Sequence, residues 1–338
     1  MLDRRLLFVT GKGGVGKTAV SAALGSLAAQ RGRRTLVCEV DAKGDLARFF
    51  ESGPTSFEPR QVQPRLHLMT LTTEESLREY LKLQLRIPFI ARIGPLARSF
   101  DFVANAAPGV REILTVGKVT YEVREDNYDL VVVDATASGH IIGQLGAPQA
   151  ISELVQVGRV SDQTAWMQDI LHDPARTGVV IVCTPEEMPV VETLELVGRL
   201  EAETDVPLAA VVANRVLPEL FGRREEERFE QLRTPPAVEE LALAVASVGG
   251  NSTPAGAAAR EVPQPEPDGG GVAGVEAVLE AAELAVTLRR AKAAHLTTLR
   301  EGLDPAVPLL FVPELFARAH GARATAQVAT ALSDELGY

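Results

Sequence analysis

The sequence predicts an α/β fold built on a doubly wound, mostly parallel sheet. Short runs of Val, Leu and Ile recur along the 338-residue chain, stretches of helical length separate them, and the first run ends in a glycine-rich turn that leads into a helix. Unbroken apolar runs mark strands buried on both faces. Strand, helix and strand in alternation bring parallel strands together beneath two layers of helices.

The strand runs are Arg5 to Thr10, Thr35 to Val40, Leu66 to Leu71, Tyr128 to Asp134, Val179 to Thr184, Leu208 to Asn214 and Leu309 to Val312. Helices are expected over the Ala- and Leu-rich segment Lys17 to Arg31, over Glu186 to Glu203, and over Val275 to Glu301, which carries the basic cluster Arg289, Arg290 and Lys292. Residues 74–125 keep helical periodicity for longer than one crossover needs and are expected to form a helical insertion, with a second, shorter one over 148–177. Residues 246–274 are rich in Ala, Gly, Pro and Ser. Their run AREVPQPEPDGGGVAG holds little apolar surface to offset ordering entropy, so a flexible linker is expected there. Residues 275–338 are then a helix, strand and helix completing one domain that spans 1–338.

A hydrophobic content of 46% with 23% charged residues fits a globular chain with a sizeable core. No stretch approaches the roughly 20 apolar residues of a membrane span, and the first ten residues lead straight into a motif-bearing strand, so a cytoplasmic location is expected. A net charge of −11 argues against a nucleic-acid surface. Cys38 and Cys183 sit inside apolar runs and form no CxxC pair, so no zinc site is expected.

The turn after the first strand reads Gly11, Lys12, Gly13, Gly14, Val15, Gly16, Lys17, Thr18, which is GxxxxGK[ST] between a strand and a helix. Such a loop turns backbone N–H groups inward around phosphates, and the helix N-terminus adds positive dipole. Lys17 is placed to reach the β- and γ-phosphates, and the Thr18 hydroxyl to ligate Mg²⁺. ATP and Mg²⁺ are the implied ligands, with Gly11, Gly13, Gly14, Val15 and Gly16 as the backbone cradle. Asp41 and Asp134 end two apolar runs at the carboxyl edge of the sheet, where open α/β folds bind ligands. Asp134 fits the Walker B position, orienting the Mg²⁺ shell through water, and Asp41 fits the residue that positions the attacking water. Gly139 is placed to sense the γ-phosphate through its backbone. The other reading of either Asp is a helix N-cap, and that of Lys12 a solvated side chain beside the loop.

The pattern KGGxGK, with Lys12 as its first lysine, resembles the deviant Walker A class of P-loop NTPases (the SIMIBI class). That class includes arsenite-pump ATPases, tail-anchored-protein-targeting ATPases, division-site and partition ATPases and the nitrogenase iron protein. The resemblance implies that Lys12 crosses a dimer interface to the partner's nucleotide, so that hydrolysis depends on dimer closure. Within the class the chain most resembles the arsenite-pump and tail-anchored-protein-targeting family. DATASGH is similar to that family's DTAPTGH, and Thr184, Pro185 and Glu186 to its later loop. Asn214 stands at the family's adenine-reading asparagine, Pro313 in its closing segment near the base, and Pro108, Gly109 and Val110 in its PG-containing segment.

The resemblance implies a Mg²⁺-dependent ATPase that works as a homodimer, or as a heterodimer with a paralogue like those of single-domain actinobacterial members. Its closure would be coupled to a protein client or a membrane partner, the latter bringing it to the membrane periphery. Three departures bound this reading. Asp41, Ala42, Lys43, Gly44, Asp45 and Leu46 stand where the family reads DPAHNL, so the catalytic competence of the switch is open, and a weakly hydrolysing regulatory subunit is the alternative. A single P-loop without a thiolate cluster disfavours arsenite. Only 4 Met and a short second insertion, holding Trp166 and Met167, disfavour a full client-shielding groove. The acidic end TALSDELGY places a partition or division-site role last.

Overall fold

Seven of the eight strands among the described residues coincide with the apolar runs of the sequence. They are β1 (Leu6–Gly11), β2 (Thr35–Val40), β4 (Leu66–Leu71), β5 (Leu130–Asp134), β6 (Thr177–Cys183), β7 (Leu208–Val216) and β8 (Leu309–Pro313). The computed structural model describes residues 1–40, 44–85, 109–220, 222–249, 270–315 and 320–338.

The strand missed by the sequence reading is β3 (Arg60–Gln63), a four-residue polar piece that pairs antiparallel with β4 at the sheet edge. An edge strand with half-exposed side chains needs no apolar run, which is why RQVQ gave no signal. The strand order is β3-β4-β2-β5-β1-β6-β7-β8, and every pairing other than β3 with β4 is parallel. Successive connections diverge on either side of the central strand β1, so its carboxyl end lies at a topological switch point.

Two compact units divide the described chain: Met1–Val216 with His295–Tyr338, and Leu217–Ala294. The first holds the sheet. On one face α1 (Lys17–Gln30), α2 (Asp45–Phe49) and α11 (Gly321–Glu335) pack on Leu7, Val9, Val37, Val132, Val180 and Val212. On the other lie α4 (Val110–Arg124), α5 (Ser138–Leu154), α6 (Arg159–Leu171) and α7 (Glu187–Glu203). With Leu299 and Leu303 these cover Leu6, Phe8, Val131, Val133, Val179 and Ile181. Both faces are thus dry, as strands without polar alternation require. The expected doubly wound, mostly parallel α/β sheet with a helical layer is the observed architecture.

Helix α3 (Thr73–Leu85) opens the first expected insertion and α4 closes it; residues 86–108, including Pro108, lie outside the described residues. Lys118 of α4 is buried between Glu79 of α3 at 2.8 Å and Glu122 at 2.7 Å. Helices α5 and α6 occupy most of 148–177.

The second unit contains α8 (Arg223–Leu232), α9 (Pro235–Gly249) and the first part of α10 (Gly270–Gly302). Residues 250–269, the middle of the expected linker, lie outside the described residues, and helix reaches into both of its flanks. Two members of the basic cluster are paired within this unit, Arg289 with Glu219 at 3.1 Å and Arg290 with Glu226. Among the described residues no helix is long and apolar enough to cross a membrane. Cys38 and Cys183 are both buried, and burial raises the Cys183 thiol to about 11.

Candidate functional site

The loop between β1 and α1 takes its shape from two glycines. Gly11 has φ +145°, and a Cβ there would stand 2.2 Å from the Val182 carbonyl oxygen on β6. Gly16, the N-cap of α1, has φ +98°, and a Cβ there would stand 2.3 Å from Asn214 Nδ2. Only glycine reaches these angles without cost and leaves this room. Val15 is buried beneath the loop, and its carbonyl accepts a 2.8 Å hydrogen bond from the Asn214 amide. Lys17 Nζ folds back on the Lys12 carbonyl at 3.1 Å.

Around this loop lies a cavity of about 770 Å³, lined among others by Gly13, Gly14, Gly16, Lys17, Thr18, Glu39, Asp45, Asp134 and His320. Asp134, the last residue of β5, accepts from the Thr18 hydroxyl at 2.7 Å and from the Ser21 hydroxyl at 3.3 Å. Burial raises the Asp134 carboxyl to about 6 against the pull of Thr18, Lys17 and Ser21, with the neighbouring Glu39 charge adding to the rise. The N-cap of α5 is Ala137, which removes the capping alternative for Asp134. Thr18 Oγ1 and the Asp134 carboxylate are adjacent hard oxygens of residues that line this cavity, a donor set that fits Mg²⁺.

Lys12 lies on the other side of the loop, where its Nζ meets Glu192 Oε1 of α7 at 2.5 Å, each side chain about a third exposed (34% and 31%). On the same helix Met188 and Val191 are 57% and 44% exposed. Gly139 is the exposed second residue of α5, and Pro313 closes β8 beside Val216. Asn214 is buried, and besides the loop bond its Oδ1 accepts from the Arg215 N–H at 3.0 Å. Asp41 lies outside the described residues.

The sequence reading missed Glu39, whose one signal was a carboxylate inside the apolar run LVCEV, and Glu192, which is 180 positions from Lys12 and left no local signal. A second cavity of about 210 Å³ lies among α3, α4, α5 and α6, lined by Leu77, Ile113, Leu114, Trp166 and Met167. It is mainly apolar, and no residue of the P-loop lines it.

The model of the family described as anion-transporting ATPase matches residues 4–164 and 153–234. The chain belongs to the anion-transporting ATPase family. Relatives include the ATPase BagA of Mycobacterium tuberculosis, 32% identical over 225 residues, which are 63% of this chain and 66% of that protein. A putative arsenical pump-driving ATPase of Halobacterium salinarum is 28% identical over 257 residues, 70% of this chain and 39% of that protein. The ATPase ASNA1 homolog 1 of Paramecium tetraurelia is 25% identical over 248 residues, 62% of this chain and 74% of that protein. The matched part thus spans just under two thirds of the mycobacterial relative. The expected family and fold class hold, and the names of these relatives agree with an ATPase.

Proposed function

We propose that the chain is a Mg²⁺-dependent, ATP-hydrolysing dimeric switch whose closure on ATP is coupled to a protein client or membrane partner. The observation that carries this reading is the placing of two lysines on one loop. Lys17 Nζ folds back on the Lys12 carbonyl of its own loop, and the Lys12 side chain runs instead to Glu192 of α7.

In this reading the loop N–H groups and Lys17 hold the β- and γ-phosphates, and the Thr18 hydroxyl with Asp134 holds the Mg²⁺. That ion neutralises charge on the phosphates when bound. Lys12 leaves Glu192 and reaches the nucleotide of a second copy or a paralogue, stabilising the charge that develops on the transferred phosphoryl group. Met188 and Val191, exposed beside Glu192, supply apolar surface to that closed interface. Asn214 and Pro313, at the ends of β7 and β8, are the proposed adenine side, and Asp41 positions the water. The helical layer of α3 to α6, which has an apolar cavity of its own, relays closure to the client.

Solution mass and ATP turnover of the pure chain, with and without Mg²⁺, test the reading. Wild type should dimerise and turn over with Mg²⁺-ATP, and Lys12→Ala should bind ATP but hydrolyse it at least ~100-fold more slowly, arginine-finger groups being worth about 10³–10⁵ in rate. Equal loss of binding and hydrolysis would count against the interfacial lysine.

A second reading, a weakly hydrolysing subunit paired with a catalytic paralogue, is favoured by the segment Asp41 to Leu46, which departs from the family's DPAHNL. An inert wild-type chain that is activated by a paralogue would establish it.

A further inference from the structure

Glu39 is a buried charged residue on an interior strand of the parallel sheet, and the nucleotide reading leaves it without a role. It is 5% exposed, lies on β2, and is paired in register with Asp134 of β5. Register partners in a sheet send their side chains to the same face, so the two carboxylates stand side by side, on the face covered by α1.

One Glu39 oxygen is occupied: Oε1 accepts the Asp45 N–H at 3.1 Å, at the start of α2. The other, Oε2, is buried and has no hydrogen-bond partner among the described residues. Both carboxylates belong to residues that line the 770 Å³ cavity beside Thr18. Two adjacent buried carboxylates repel one another, and a buried carboxylate oxygen without a donor is costly, unless a cation or a proton completes the group. Receiving the Asp45 N–H does not explain a charge here, since the amide oxygen of a glutamine would accept the same bond.

We propose that Glu39 is a second carboxylate of the divalent-cation seat, holding with Thr18 and Asp134 the metal that accompanies the nucleotide. This rests on the nucleotide reading and deepens it: the seat has one more acidic oxygen donor than the Walker positions supply. Hard divalent cations favour such an all-oxygen set, and carboxylates around a metal set its affinity even when they act through water.

The test is Mn²⁺ binding in the presence of ADP, followed by electron paramagnetic resonance on the full chain. Wild type, Glu39→Gln and Glu39→Asp are compared, with ADP affinity in EDTA and the thermal midpoint as controls. Glu39→Gln, which keeps the bond from Asp45, is expected to weaken Mn²⁺ about 10-fold or more while leaving metal-free ADP binding in place. Glu39→Asp, which keeps the charge on a shorter stem, is expected to bind Mn²⁺ more tightly than Glu39→Gln. If wild type takes up Mn²⁺ with ADP and Glu39→Gln matches it within about twofold, or if the Asp and Gln variants bind alike, the inference is overturned and the nucleotide reading stands. If wild type takes up no Mn²⁺ with ADP, both fall.

Discussion

Lys12 Nζ lies 2.5 Å from Glu192 Oε1, which ties the first lysine of the P-loop to a helix of its own chain. Under the proposed function that bond must break before the lysine can serve a partner's nucleotide. The pair is about a third exposed, so it is worth at most ~1 kcal/mol, and Glu192→Gln should tighten ATP-driven dimerisation by up to about fivefold. Sedimentation of the variant against wild type measures this. An unchanged dimer constant would mean that the pair does not restrain Lys12.

Asn214 is the buried prop of the P-loop, donating to the Val15 carbonyl at 2.8 Å and crowding Gly16. Asn214→Ala leaves that carbonyl unpaired, a cost of about 1–3 kcal/mol, and should lower the thermal midpoint. If the residue acts through the loop, affinity for inorganic pyrophosphate should fall as much as affinity for ADP. A loss confined to ADP would instead mark a reader of the base.

How far the sequence carried this picture follows from where each signal is encoded. The P-loop and the seven buried strands were legible because each is written in consecutive residues. Lys12 was legible as a residue, but its partner Glu192 was not, because that pairing is made by the packing of α7 against the loop. Glu39 was visible as a lone charge in LVCEV, and only the register between β2 and β5 set it beside Asp134. Edge strand β3 lacks the apolar run that identified the others.

The helical layer is fastened by Lys118, whose side chain is 7% exposed between Glu79 and Glu122. Burial opposes its charge, yet hydrogen bonds to Glu122 and Glu79 and their charges outweigh burial and raise its pKa. Lys118→Met would leave Glu122 buried and uncompensated, apart from the bond it accepts from Asn127 at 2.8 Å. The expected cost is about 3–5 kcal/mol. Lys118→Met with Glu122→Gln should recover much of it in denaturant melts; no recovery would place the loss in packing instead.

His67 on β4 provides a pH-dependent contribution to stability, remote from the P-loop. Its ring meets Tyr128 edge-on at 5.4 Å, and its buried Nδ1 has no hydrogen-bond partner among the described residues. Burial lowers its pKa below the usual 6.5, assisted by the charge of Arg34 and opposed by a backbone hydrogen bond with Thr35. The unfolded chain therefore takes up this proton at a higher pH than the folded one. The contribution is fully present above about pH 6.5, the ordinary histidine value, and is lost as pH falls from there through the folded pKa. Urea melts across pH 7.5 to 5 should show wild type losing more stability than His67→Phe, which keeps an aromatic ring against Tyr128 and cannot take up a proton. Parallel slopes for the two proteins would assign the acid sensitivity to other groups.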